Sequence, residues 1–109
     1  MTTEQIPATA VVRISTATFD PARYAEVHAM NIEISSYLVP AITALPGLLH
    51  FYAGVSPDGS MVHVSVWESD EQAKQLSSLK EMVVTARKEA EDAGATFSPV
   101  VHYPVDWTI

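Results

Sequence analysis

Along the chain, the spacing of apolar positions switches between two and three-to-four residues, and the switches mark successive elements. Residues 9–16, with Val11, Val12 and Ile14, form a β-branched run free of Gly and Pro, which predicts a first strand. Phe19-Asp20-Pro21 reads as a helix start: a staple residue, an N-cap carboxylate, and a proline at the first helical position, where its missing N–H does no harm. Val27, Met30, Ile34, Leu38 and Ala41 then recur at helical spacing with Glu26 and Glu33 opposite, so this helix covers a core with one face. Pro40 is expected to end or bend it near Val39. After Pro46-Gly47, residues 48–55 and 61–68 flank the turn signal Ser56-Pro57-Asp58-Gly59-Ser60, a β-hairpin. Ser69 with Gln72 forms a capping box, and Ala73, Leu76, Leu79, Val83, Ala86 and Ala90 predict one continuous amphipathic helix ending near Gly94. Residues 96–105 make a final extended segment, in which Pro99 and Pro104 favour an edge or a bulge. Residues 1–8 read as a loose tail to a single domain spanning 1–109.

The order β-α-β-β-α-β predicts an α+β, ferredoxin-like domain: a four-stranded antiparallel sheet with two helices on one face. On the third strand Val62, Val64 and Val66 project to one side, while Met61, His63, Ser65 and Trp67 project to the other. Both faces are therefore largely apolar, and the helices cover only one. The simplest cover for the second is another copy of the sheet, so a homodimer forming a dimeric α+β barrel is expected.

Charge and composition narrow the partners. A net charge of −7, from 13 acidic against 6 basic side chains, argues against nucleic acid and anionic membrane surfaces. Lys74, Lys80, Arg87 and Lys88 do not offset it, because acidic residues are interleaved with them. No apolar run is long enough to span a bilayer, residues 1–10 carry no secretory-signal pattern, and there is no cysteine, so a cytoplasmic location is expected. His50, His63 and His102 fall on strands without the spacing of a metal site, and no metal is expected. Without a GxSxG, P-loop, dinucleotide or haem-attachment motif, no cofactor is expected either.

The candidate site centres on Trp67, which shares a face with His63 and Ser65; a polar pair beside a tryptophan is unusual for a purely apolar layer. A neutral imidazole at His63 is a candidate base, because its ordinary pKa lies near the operating pH. Trp67 itself serves equally as a core residue, and His63 as a satisfied structural histidine. On the first helix Tyr24, His28, Asn31 and Ser35 form an uncharged stripe suited to lining a cavity or to a half-solvated flank. Arg87, on the second helix, is a candidate anion stabiliser or a surface partner of Glu91. His50 and Tyr52 are further candidate substrate contacts, provided the hairpin register brings them to the His63 face, which one residue of slip reverses.

Pro46-Gly47, the Phe51 strand, the Asp58-Gly59 turn, and Trp67-Glu68-Ser69 leading into a helix with Ala73 resemble the antibiotic biosynthesis monooxygenase family of dimeric α+β barrels, over residues 11–103. The resemblance implies a pocket within each subunit between sheet and helices, with Trp67 matching a strand-end tryptophan that helps to line it. It also implies that Arg87 lies about where the polyketide oxidases place an arginine. His63 stands where those enzymes carry an asparagine, and Ala73 or a close neighbour where they carry a tyrosine. The axial histidine and second tryptophan of the haem degraders fall at Ala86 or Arg87 and at Leu76, so haem degradation is disfavoured. The expected function is cofactor-independent monooxygenation of an aromatic, quinol or polyketide-like small molecule. A non-catalytic ligand-binding or accessory dimer, and an isomerase or ring-opening enzyme, are the alternatives on the same fold.

Overall fold

The computed structural model describes residues 6–109. Strand β1 (Val11–Thr18) leads through a 3-10 turn at Pro21–Arg23 into α1 (Tyr24–Thr43), followed by the hairpin β2 (Leu48–Ser56) and β3 (Ser60–Trp67). Next come α2 (Asp70–Ala73), a 3-10 segment (Lys74–Ser77), a π-helical segment (Glu81–Ala86), α3 (Arg87–Asp92), β4 (Thr96–Phe97) and β5 (Val101–Pro104). Strand β1 pairs with β3 from Val11↔Trp67 to Thr18↔Ser60, and on its other edge with β4 and β5, while β2 forms the far edge against β3; all pairings are antiparallel. This is the ferredoxin-like α+β fold expected from the element order.

Local signals act as their chemistry dictates. The Asp20 side chain accepts from Ala22 N–H, and Ser69 Oγ accepts from Gln72 N–H at 3.3 Å, capping two helix starts. At the far end Gly94 takes φ +102°, with Ala95 N–H donating to Ala90 O and Gly94 N–H to Glu91 O, a Schellman closure. In the hairpin turn Gly59 takes φ +99°, and a Cβ there would meet Phe19 O at 2.5 Å, so the turn and the entry to α1 are locked together.

Four expectations need adjustment. Pro40 does not end α1, which runs through it to Thr43, because the loss of one backbone hydrogen bond is offset by the burial of Leu38 and Ile42 on either side. The second helix is not continuous. Ser78 ends the 3-10 segment with φ −118° and donates its hydroxyl to Gln75 O, and the wide π turn that follows returns Ala86 and Ala90 to the buried side with Leu76. The final segment is two short strands, β4 and β5, separated around Pro99, which cannot donate to a ladder. Of the tail expected over residues 1–8, residues 1–5 lie outside the described residues, whereas Pro7 O accepts from Ala10 N–H in a turn and the neighbouring Thr9 hydroxyl donates to Glu68 O.

The core lies between sheet and helices in two clusters. One surrounds Trp67 with Val11, Ile34, Leu38 and Leu76; the other surrounds Met61 with Phe19, Val27 and Ala90. On the opposite face Val12, Val62, Val64 and Val66 are only half-buried, and Tyr52, Val101 and Tyr103 are exposed. Among the described residues no helix is long and apolar enough to cross a membrane.

Candidate active site

Between the two clusters the sheet presents polar side chains to the helices. Alternation along β1 and β3 places Arg13 and Ser15 beside His63 and Ser65, with Arg13 opposite Ser65 and Ser15 opposite His63. Packing does not close over them, and two cavities remain. One, of about 310 Å³, lies over Arg13, Ser15 and His63 beneath Met82, Ala86 and Phe97. The other, of about 370 Å³, lies between α1 and β2, lined by Asn31, Ser35, Leu38, Leu48, Phe51 and again His63. Each falls within the range of about 300–1,000 Å³ usual for small-molecule sites. His63 and Ile34 line both, so the imidazole stands where the two meet.

His63 is 7% exposed, and its Nε2 lies 3.2 Å from Asn31 Oδ1. With the amide oxygen accepting, Nε2 carries the proton of the neutral ring and Nδ1 holds the lone pair. Phe51 packs against the imidazole at 5.7 Å between centroids, tilted by 59°. Burial, and then the charge of Arg13, lower the His63 pKa to about 4, so the ring is neutral at physiological pH. The consequence for stability has a definite sign. Between about pH 4 and 6.5 the unfolded chain binds a proton at this position and the folded chain does not, so stability rises with pH across that window. It is fully present above pH 6.5 and lost as pH falls toward 4, by about 3 kcal/mol at 1.36 kcal/mol per pKa unit. Denaturant titrations at pH 7 and 4.5 check this: His63→Leu should lack that part of the loss, and equal losses in both proteins would exclude it.

Arg13, which the β-branched pattern of the first strand concealed, is the functional candidate missing from the sequence expectations. It is 4% exposed, and among the described residues its Nε has no hydrogen-bond partner. The available signal was alternation: Arg13 and Ser15 share the face of buried Val11 and Ala17, not that of Val12 and Ile14.

The other expected site residues separate into groups. Asn31 and Ser35 line the second cavity, and Arg87 borders the first. The Arg87 guanidinium lies 5.0 Å from the Phe97 ring centroid, and its Nε lies 3.6 Å from Glu91. Tyr24 and His28 stack on each other at 5.5 Å nearer the start of α1 and line neither cavity. His50 and Tyr52 stack at 6.2 Å on the opposite face of the sheet, because the hairpin register, unbroken from Ser56↔Ser60 to His50↔Val66, sets them against Val66 and Val64. Ser65 and Trp67 face the helices, as alternation requires, yet line neither cavity. Trp67 is fully buried, and its Nε1–H donates to Ser65 Oγ at 2.8 Å, so each satisfies the other inside the core.

No family model matches the chain, and no curated protein matches it. Solved structures do. SnoaB, a cofactor-independent oxygenase from Streptomyces nogalater, superposes with a TM-score of 0.62 at 15% identity, over 93% of this chain and 97% of that one, and a point mutant of it with 0.67. A monooxygenase from the ActVA-Orf6 gene of Streptomyces coelicolor, in complex with nanaomycin D, gives 0.66 at 20% identity over 94% and 92%. A dimeric ferredoxin-like protein from an uncultured marine organism gives 0.69 at 13% identity over 93% and 91%. At these identities the likeness concerns architecture, and the chain has the ferredoxin-like α+β fold that SnoaB and the ActVA-Orf6 monooxygenase share.

Proposed function

We propose that this chain is a cofactor-independent monooxygenase of an electron-rich aromatic, quinol or polyketide-like compound, belongs with the antibiotic biosynthesis monooxygenases, and works as a homodimer. The observation that carries this is His63: a buried, neutral imidazole, oriented by Asn31, at the junction of two largely apolar cavities. The fold shared with SnoaB and the ActVA-Orf6 monooxygenase supports the same reaction class.

In this scheme a substrate hydroxyl donates to the lone-pair nitrogen of His63, which takes its proton. The resulting phenolate or enolate supplies the electrons: a ring carbon forms a bond to oxygen, giving a hydroperoxide once His63 returns the proton. Loss of the carbon-bound proton and of hydroxide then leaves a carbonyl and water. One oxygen atom enters the product and the other leaves as water, and all four electrons that reduce dioxygen come from the substrate, so no external reductant is needed. Arg13 disfavours a proton on His63 while favouring negative charge on the substrate. The apolar walls exclude water from the anion.

The dimer accounts for the uncovered face. Val12, Val62, Val64 and Val66 together with Tyr52 and Tyr103 make an apolar surface that a second copy would bury. Light scattering should return twice the 11.8 kDa chain mass, and a single-chain mass at micromolar concentration would contradict it.

Oxygen-electrode measurements with hydroquinones and anthrones test the chemistry: the pure protein should accelerate uptake. The low basicity of His63 favours one second function, non-catalytic binding of a small aromatic ligand. A ligand that raises the melting temperature without oxygen uptake would select it.

A further inference from the structure

Arg13 is the one buried group that the scheme above uses without explaining. Its guanidinium stays charged at any physiological pH, and burying such a charge without a counter-ion is unfavourable. Yet Arg13 is 4% exposed, its Nε has no acceptor, and no ion pair involves it among the described residues. Its neighbours across the sheet do not serve. Ser65 Oγ, which accepts from Trp67, is neutral and makes no hydrogen bond to Arg13 among the described residues, and His102 pairs with Asp70 at 2.7 Å, leaving that carboxylate engaged elsewhere. An uncharged side chain of similar length, such as methionine, would fill the same space without the desolvation cost. Arg13 does, however, border the first cavity, which Ile34, Met82, Val83 and Phe97 line together with His63 and the half-exposed Arg87, itself beside Glu91.

We infer that Arg13 is the counter-ion for a carboxylate on the ligand, so that the first cavity takes an aromatic acid with its carboxylate on β1 and its rings beneath the π-helical segment. A carboxylate fits better than a phenol for two reasons. Its two oxygens match the planar donor fork of arginine, and it is already ionised in solution at neutral pH, whereas a phenol with a pKa of about 10 is not. The net charge of −7 does not forbid this, since surface charges are screened over about 8 Å at physiological salt while a buried partner is not. The inference rests on the proposed function only for where the ligand lies, not for what happens to it.

Calorimetry with 2-naphthoate and its neutral shape-mimic 2-naphthamide, on the whole protein, tests it without turnover. The wild type should bind the naphthoate at least about tenfold more tightly, as expected of a charge-assisted bidentate contact. Arg13→Met should bind the two with equal affinity, and Arg13→Lys should retain part of the preference. The unliganded Arg13→Met protein should melt no lower than the wild type, because it loses an unpaired buried charge; a purely structural arginine would lower the melting point. Equal wild-type affinities, no binding of either probe at millimolar concentration, a preference kept in Arg13→Met, or tighter binding of 2-naphthol than of 2-naphthoate would each overturn the assignment. Absence of oxygen uptake alongside a clear carboxylate preference would overturn the monooxygenase proposal alone.

Discussion

Trp67→Ala is expected to cost about 3–5 kcal/mol of stability, the range for removing a large buried aromatic side chain. The tryptophan is fully buried among Val11, Leu38, Ile42, Ala73 and Leu76, and it joins the end of the sheet to α1 and to the segment after β3. At about 4–8 °C per kcal/mol for a small domain, the melting temperature should fall by tens of degrees. Trp67→Phe should cost less, about 1–3 kcal/mol, much of it from leaving the Ser65 hydroxyl without its donor. Thermal denaturation of both variants checks the ranking. A Trp67→Ala protein that melts like the wild type but loses turnover would instead make Trp67 a substrate contact.

His63→Leu is expected to lower kcat/KM for oxygen consumption by about 10²–10⁴, the usual contribution of a positioned acid–base group. Leucine fills similar space, so the variant should remain folded at pH 7. It also removes the desolvation that penalises the imidazolium below about pH 6.5. Activity and stability therefore move apart: lost turnover with equal or better resistance to acid. Steady-state kinetics and denaturant titrations on one preparation measure both. Turnover within a few-fold of wild type would remove His63 from the chemistry.

The element order was legible because its punctuation is local. Asp20-Pro21, Pro57-Asp58-Gly59, Ser69 with Gln72, and Gly94 each shape the chain through their own backbone or that of a sequence neighbour. Alternation on β3 likewise told which side His63 shares with Trp67, since side-chain direction in a strand depends only on parity. What local pattern did not carry was anything set by a shift of one residue or by the path of a distant element. The pairing of Ser56 with Ser60 across the turn decides the face of His50 and Tyr52, and the turn residues fit a register one residue away equally well. The break at Ser78 and the π turn after it decide which side chains roof the first cavity, yet the spacing of Leu76, Leu79 and Val83 suits an unbroken helix equally well. Trp67 faces the expected side, but whether a strand-end side chain meets a cavity or a core depends on how the segment after it folds back. Arg13 was hidden differently: one charge in a run of β-branched residues reads as an outward side chain until the strand's register is known.

The central claim is that oxygen reacts directly with a substrate anion held beside His63. It is tested most directly by oxidising an anthrone under ¹⁸O₂ with chelator-treated protein and no added flavin or metal. The account predicts a quinone carrying one labelled oxygen, labelled water, one dioxygen consumed per product, and a rate that falls with His63→Leu. No product from the chelator-treated protein, recovery only on adding a metal or flavin, or an unlabelled quinone would contradict it.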